Sequence, residues 1–204
     1  MFITFEGIDG SGKTTQIKHF IENLERESIP FLLLREPGGT IIGEKIREIL
    51  LDKNNSDMLP LTEYLLYSAS RHQLTKQRVL PALNEGKVVV CDRYFDSSTA
   101  YQGYGRKIDL KFVHKLNTTA TIGTLPDLTI VLDIPVSERD SRIESENFDR
   151  LEQENRDFQE SVREGFLSIA KQSPDRFIVV DGTLLPETVS NIIWNHFKNM
   201  NKRH

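Results

Sequence analysis

Gly7-Ile8-Asp9-Gly10-Ser11-Gly12-Lys13-Thr14 is the stretch from which the rest of the chain is read. A glycine, four residues and then Gly-Lys-Thr is the spacing of a P-loop. It stands where that pattern must stand, between a β-prone run, Phe2–Glu6, and a segment with Ile17, Phe20, Ile21 and Leu24 at helical spacing. From average residue frequencies, a chance match should arise in only about one chain in a hundred of this length. The glycines let the backbone wrap closely around an anion with its N–H groups pointing inward. The helix that follows adds its positive N-terminal end. Lys13 supplies a mobile cation for the β- and γ-phosphates of a nucleotide, and Thr14 a hydroxyl for Mg²⁺. Gly7, Ile8, Asp9, Gly10, Ser11, Gly12 and Thr15 complete the expected phosphate cradle.

Outward from this loop, short apolar runs at 31–34, 88–91, 128–132 and 177–180 alternate with helical patterns. The helical stretches are 42–51, a long one over 61–83 with Pro81 near its end, one marked by Leu110, Val113 and Leu116, one by Phe158, Val162, Phe166 and Ile169, and a last by Val189, Ile192, Ile193 and Phe197. Continuous apolar strands alternating with helices predict an α/β fold, a five-stranded parallel sheet covered on both faces. Ligands of such sheets bind beyond the carboxyl ends of the strands. Functional residues are therefore expected just after Phe5, Leu34, Cys91 and Leu132.

Composition narrows the class. The 204 residues suit one domain, 1–204, rather than two. The net charge of −4 and a pI near 5.8 give no global field for polyanions. A phosphate ligand must then be held by a local cluster of donors, and no nucleic-acid partner is expected. Cys91 is the only cysteine, so no intrachain disulfide forms, and a buried thiol in a reducing cytoplasm is the expectation. The five histidines are scattered and show no metal-ligand spacing. The N-terminus lacks the pattern of a signal peptide, and no run approaches the roughly 20 apolar residues of a membrane span. A guanine-reading Asn-Lys-x-Asp is absent, which argues against a regulatory GTPase.

The other strand ends carry the information about the acceptor. After the second strand comes Arg35-Glu36-Pro37-Gly38-Gly39, with Arg35 and Glu36 read as a charged pair that shapes the loop. After the third come Asp92-Arg93-Tyr94, Asp96-Ser97-Ser98 and Tyr101-Gln102-Gly103. Tyr67 and Arg71 are four apart on the long helix and so share a face. An aromatic ring there can stack on a base while a guanidinium donates to a carbonyl oxygen, or the two can be ordinary core packing and a surface ion pair. Ser98 and Gln102 are also four apart, and the Gln102 amide can both donate and accept. Asp92 ends a valine-rich strand, where P-loop proteins hold Mg²⁺ through a carboxylate. Asp9 places a carboxylate beside bound phosphates, so something must compensate it; an orienting hydrogen bond to an acceptor hydroxyl is the role considered.

Together these motifs resemble the thymidylate kinases in order and spacing, from residue 2 to about 180. The resemblance implies a P-loop NTPase fold and phosphoryl transfer from ATP to dTMP, giving dTDP and ADP, in dTTP synthesis, with Mg²⁺ as cofactor and a homodimer that packs through helix faces. It implies that Arg71 reads the C4 oxygen of thymine and Tyr67 fills the stacking position. Arg93 and Arg47 would bind the acceptor phosphate, although an exposed helix arginine is also common. Tyr101 would crowd the 2′ position, with packing as its plainer role, and Glu36, Pro37, Ser98 and Gln102 complete the dTMP side. The family places a catalytic arginine in the P-loop or in a lid after the fourth strand. Here Gly10 and Ser11 stand in the loop, so the lid, expected at 139–154, must supply it. Arg150 matches best, Arg142 is the reserve, and Arg139, Glu144, Glu146 and Asp149 make the segment charge-mixed, as a solvated helix would be. Another nucleotide or deoxynucleoside kinase, or a P-loop module that binds without turnover, are the competing readings.

Overall fold

The computed structural model describes residues 1–143 and 150–201. Within them, β1 (Phe2–Glu6), β2 (Phe31–Arg35), β3 (Val88–Asp92), β4 (Leu128–Asp133) and β5 (Phe177–Asp181) pair in parallel in the order β2-β3-β1-β4-β5. Each strand after the first runs one residue further than its apolar run, into Arg35, Asp92, Asp133 or Asp181. The ladder does not stop where hydrophobicity does: Arg35 still pairs with Asp92, and Asp133 with Asp181.

Alternation along the strands divides the core. Ile3, Phe5, Val88, Val90, Leu128 and Ile130 face α1 (Lys13–Arg26) and α9 (Pro186–Asn201), where Phe20 and Phe197 meet edge to face at 5.2 Å. On the opposite face, Phe2, Leu34, Val89 and Cys91 pack against Leu74, Val79 and Ala82. These three belong to the long helical stretch, which is α3 (Pro60–Leu74), a π turn over Thr75–Val79, and α4 (Leu80–Asn84). A proline has no N–H to give and its ring crowds the carbonyl four residues back. For Pro81 that carbonyl belongs to Gln77, inside the π turn, so the wider turn absorbs the misfit.

Between β2 and α3 lies α2 (Ile41–Leu51), capped by the Thr40 hydroxyl, which accepts from Gly43 N. β3 leads into α5 (Phe95–Ser98), a second π segment over Thr99–Gly105, and α6 (Leu110–Thr121). β4 leads into α7 (Val136–Arg142) and α8 (Arg156–Gln172), whose Phe158, Val162 and Phe166 cover Ile8, Tyr101 and Val131.

β1 is central, with β2 and β3 on one side of it and β4 and β5 on the other. The chain reverses direction across the sheet at β1 and β3, and the crevice of such a fold opens at that switch point. Register makes the opening level. Phe5 and Arg35 both pair with Asp92, so the segments leaving β1, β2 and β3 start from one edge.

Candidate active site

A cavity of about 760 Å³ lies along this edge. Asp9, Gly10, Ser11, Gly12, Lys13, Thr14 and Thr15 line one part of it. Glu36, Pro37, Arg47, Tyr67, Asp92, Arg93, Ser98, Tyr101 and Gln102 line another. Four expected residues do not line it: Gly7, Ile8, Arg71 and Arg150. Gly7 and Ile8 give their carbonyls to Lys13 Nζ, at 3.1 and 3.0 Å, and the Ile8 side chain is buried against α8. Arg71 lies behind the wall, 1% exposed.

Gly7, Gly10 and Gly12 all have positive φ, the conformation a side chain resists and an anion-wrapping loop needs. At Gly7 a Cβ would stand 2.4 Å from the Leu132 carbonyl, so the loop also hugs the end of β4. Burial, and then the neighbouring Arg93, lower Lys13 to about 8, against the pull of Asp9. Two of the three Nζ protons go to the loop's own carbonyls, which leaves one for a phosphate oxygen.

Compensation for Asp9 is visible. Its Oδ1 takes a very short bond from Arg93 Nη2, its Oδ2 accepts from the Tyr101 hydroxyl at 3.1 Å, and Lys13 Nζ stands 4.0 Å away. Burial pushes the carboxyl up, but Arg93 and Lys13 outweigh it and hold Asp9 at about 2. An acid that strong is a poor proton acceptor, so Asp9 is suited to orienting rather than to general-base work. Arg93 also donates to Gly7 O at 2.9 Å and Ser97 Oγ at 3.2 Å, and lies over the Tyr101 ring at 5.3 Å. Its φ of 68° is a left-handed conformation that few non-glycine residues adopt.

Arg35 and Glu36 are not a pair with each other. They sit at a strand end, where successive side chains face opposite ways. Arg35 turns outward to Glu44 at 2.8 Å. Glu36 turns inward to Arg71, whose Nε donates to it at 2.8 Å. This ion pair is fully enclosed, and Arg71 Nη1 and Glu36 Oε1 are buried without hydrogen-bond partners. Burial works to lower Arg71, but Glu36 outweighs it and holds the guanidinium above its ordinary value. Arg47 Nη1 donates to Pro37 O at 3.0 Å, bracing the loop that follows β2. Ser98 Oγ is buried and unpartnered beside the cavity.

The two arginines expected in the lid divide. Arg142 reaches the mouth of the phosphate loop, donating to Gly10 O at 3.3 Å and Gly182 O at 3.2 Å. Arg150 points elsewhere: Nε donates to Leu50 O at 3.0 Å and Nη1 pairs with Glu63 at 2.6 Å. Of the two, Arg142 is the one this arrangement brings to the phosphate loop. Arg139 is tied down, donating to Glu152 O at 2.9 Å. Glu144, Glu146 and Asp149 lie outside the described residues.

The family model for thymidylate kinase matches residues 5–193. The chain belongs to the thymidylate kinase family. A thymidylate kinase of Thermoanaerobacter sp. (strain X514) is 52% identical over 181 residues, 89% of each chain. One from Kosmotoga olearia is 47% identical over 198 residues, 97% of this chain and 95% of that one. The crystal structure of thymidylate kinase from Ehrlichia chaffeensis superposes with a TM-score of 0.78 at 34% identity, covering 97% of this chain and 98% of that one. As a member of the thymidylate kinase family, the protein is an ATP-dependent phosphotransferase that converts dTMP to dTDP.

Several cavity residues of this kinase escape a reading of the sequence. Gly182, Thr183, Leu184, Leu185 and Pro186 line the end of the cavity beyond the P-loop. Of these, Gly182 and Thr183 are legible by their position after a strand, within 181–183, and Leu184, Leu185 and Pro186 are the ones that escape. The exposed Leu184-Leu185 pair beside it was an available signal, since apolar side chains there have no core to join. Asp181 turns back to accept from Thr183 N at 2.8 Å and so shapes the turn. Glu63, fully buried on α3, gives no sequence signal; its partners, Gln102, Arg106 and Arg150, come from two later segments.

Proposed function

We propose that ATP and dTMP meet end to end in this cavity, phosphates inward. The carrying observation is that one space is lined both by the P-loop and by Tyr67, Ser98, Tyr101 and Gln102. In this reading Lys13 and the loop amides hold the donor phosphates, and Arg93, with Arg47, holds the acceptor phosphate. Tyr67 stacks on thymine, Gln102 and Ser98 meet its polar edge, and Arg71, through the Glu36 pair behind the wall, supports the same edge. Tyr101, fixed by Asp9, crowds the 2′ position. Asp9 orients the acceptor through its 3′-hydroxyl.

Transfer needs no general base. A nucleoside monophosphate loses its second proton near about pH 6, so the attacking oxygen is already ionised. Catalysis is then positioning and charge neutralisation along the line of transfer. The residues present fit Mg²⁺: Asp92 Oδ1 is buried without a partner, and Thr14 lines the same cavity. A lone carboxylate and a hydroxyl suit an ion that keeps waters and substrate phosphates as its other ligands. When bound, Mg²⁺ supplies neutralisation of the bridging phosphate charge.

Arg142 is the cation placed to meet the transferring group. Arg142→Ala should lower kcat about 100-fold or more with the KM for dTMP little changed. Arg150→Ala should act chiefly on stability and dTMP binding, through Glu63. If the alanine at 150 costs more kcat than the alanine at 142, the assignment is reversed.

The chain is read as one kinase domain, 1–204, in the cytoplasm. Its single cysteine is buried, and burial pushes the thiol well above its ordinary pKa. Among the described residues no helix is long and apolar enough to cross a membrane. A homodimer is supported by exposed apolar side chains on α2 and α3, including Ile41, Ile42, Leu61 and Leu65.

A further inference from the structure

Behind the base end of the cavity, in the first turn of α3, lies Glu63, a carboxylate with no solvent exposure. Its Oε1 accepts from Gln102 Nε2 at 2.9 Å and from Arg106 Nε at 3.3 Å. Its Oε2 accepts from Arg106 Nη2 at 3.1 Å and pairs with Arg150 Nη1 at 2.6 Å. Both oxygens thus face donors only, and a carboxylate accepts hydrogen bonds without giving any. The Gln102 amide, itself 1% exposed, therefore has one permitted orientation. Turned over, it would set its oxygen against a carboxylate oxygen with no water to intervene. One of the two Nε2 protons is committed to Glu63, which fixes the amide's orientation and leaves Oε1 as the acceptor Gln102 has for the cavity it lines.

We infer that Glu63 is a specificity-determining residue that acts through Gln102. By holding the amide nitrogen it presents an acceptor to the base, which admits a pyrimidine bearing N3–H and turns away one whose N3 carries a lone pair. Thymine and uracil have that proton; cytosine does not. With cytosine, two acceptors face each other, unpaired and repulsive, and this is the repulsive element that discrimination requires. The inference rests on the reading of Gln102 as a base contact.

The test is steady-state kinetics of the full-length enzyme at saturating ATP with dTMP, dUMP and dCMP. The variants are Glu63→Gln, Gln102→Met and the double substitution. A glutamine at 63 can face Gln102 with either end, so the amide loses its fixed orientation. The KM for dTMP should rise about tenfold with kcat within about threefold. The preference for dTMP over dCMP in kcat/KM should fall at least about tenfold, and dUMP should follow dTMP. In the Gln102→Met background, Glu63→Gln should change that preference no further.

If Gln102→Met leaves the dTMP KM and the preference unchanged, the base contact itself is wrong. If Gln102→Met is effective but Glu63→Gln leaves the preference intact, or lowers all three substrates equally, Glu63 is structural and the inference is overturned. Should Glu63→Gln not fold, Glu63→Asp, which keeps the charge one methylene further back, takes its place. A reduced preference for dTMP over dCMP at near-normal kcat upholds the inference, and an unchanged preference overturns it.

Discussion

Glu6 ends β1 with both oxygens engaged, one accepting from Tyr94 N at 2.8 Å and the other from Ser97 Oγ at 2.5 Å. Burial, and then the nearby Asp96, lift its carboxyl to about 8 despite Arg93. The folded protein thus keeps a proton at neutral pH that the unfolded chain, with a value near 4.5, gives up. Stability from this group is full below pH 4.5 and is lost as pH rises to about 8, at up to about 1.4 kcal/mol per pH unit. Glu6→Gln places a permanently neutral amide there. Urea midpoints at pH 5, 6, 7 and 8 should show the variant gaining on the wild type at each step, whereas parallel profiles would mean that Glu6 is ionised in the fold. At this scale the sequence exposes residues whose place in the cavity follows from local spacing, such as Lys13 and Asp92. Arg93 is legible by its place after β3, but not the left-handed backbone that aims it. Glu63 is illegible because nothing within a helical turn of it marks it; its meaning comes from Gln102, Arg106 and Arg150.

Among the elements, the π segment over Thr99–Gly105 carries Tyr101 and Gln102 into the cavity and packs on α8. No apolar period announces it: Asp96-Ser97-Ser98 reads as polar, although all three are buried. The long helix over 61–83 is right in extent, but the change of period around Pro81 follows from backbone hydrogen bonding rather than from hydrophobicity. The segment is tightly seated. A Cβ at Gly105 would stand 2.6 Å from the Phe158 ring, whereas at Gly86, where φ is 74°, it would meet nothing within 4 Å. Gly105→Ala should therefore cost about 1–3 kcal/mol by overpacking and raise the KM for dTMP. Gly86→Ala should cost about 1–2 kcal/mol through its left-handed backbone alone and leave that KM unchanged. Denaturant midpoints with dTMP titrations separate the two effects; an equal shift of KM in both variants would refute the distinction.

For the molecule as a whole, α2 and α3 leave Ile41, Ile42, Ile49, Leu61 and Leu65 exposed, apolar side chains of the kind that a partner subunit covers. Sedimentation should find a species of twice the 23.5 kDa chain mass, and Leu65→Glu should halve it at micromolar protein. A wild type that runs at the chain mass at every concentration would remove the dimer. Fold class follows from the alternation of runs and helices, but the strand order and the level edge of the sheet are properties of pairing and register, which no single run contains. That edge has a mechanical meaning. The roots of the P-loop and of the Asp92-Arg93 segment leave hydrogen-bonded neighbours, β1 and β3, so they stand one strand spacing, roughly 4.8 Å, apart. The sheet is a ruler between the two phosphate grips, and no motion short of unzipping its rungs can change the gap. Whatever opens and closes around the nucleotides must bend elsewhere, and variants meant to admit a bulkier acceptor should recut the loops while leaving the strands alone.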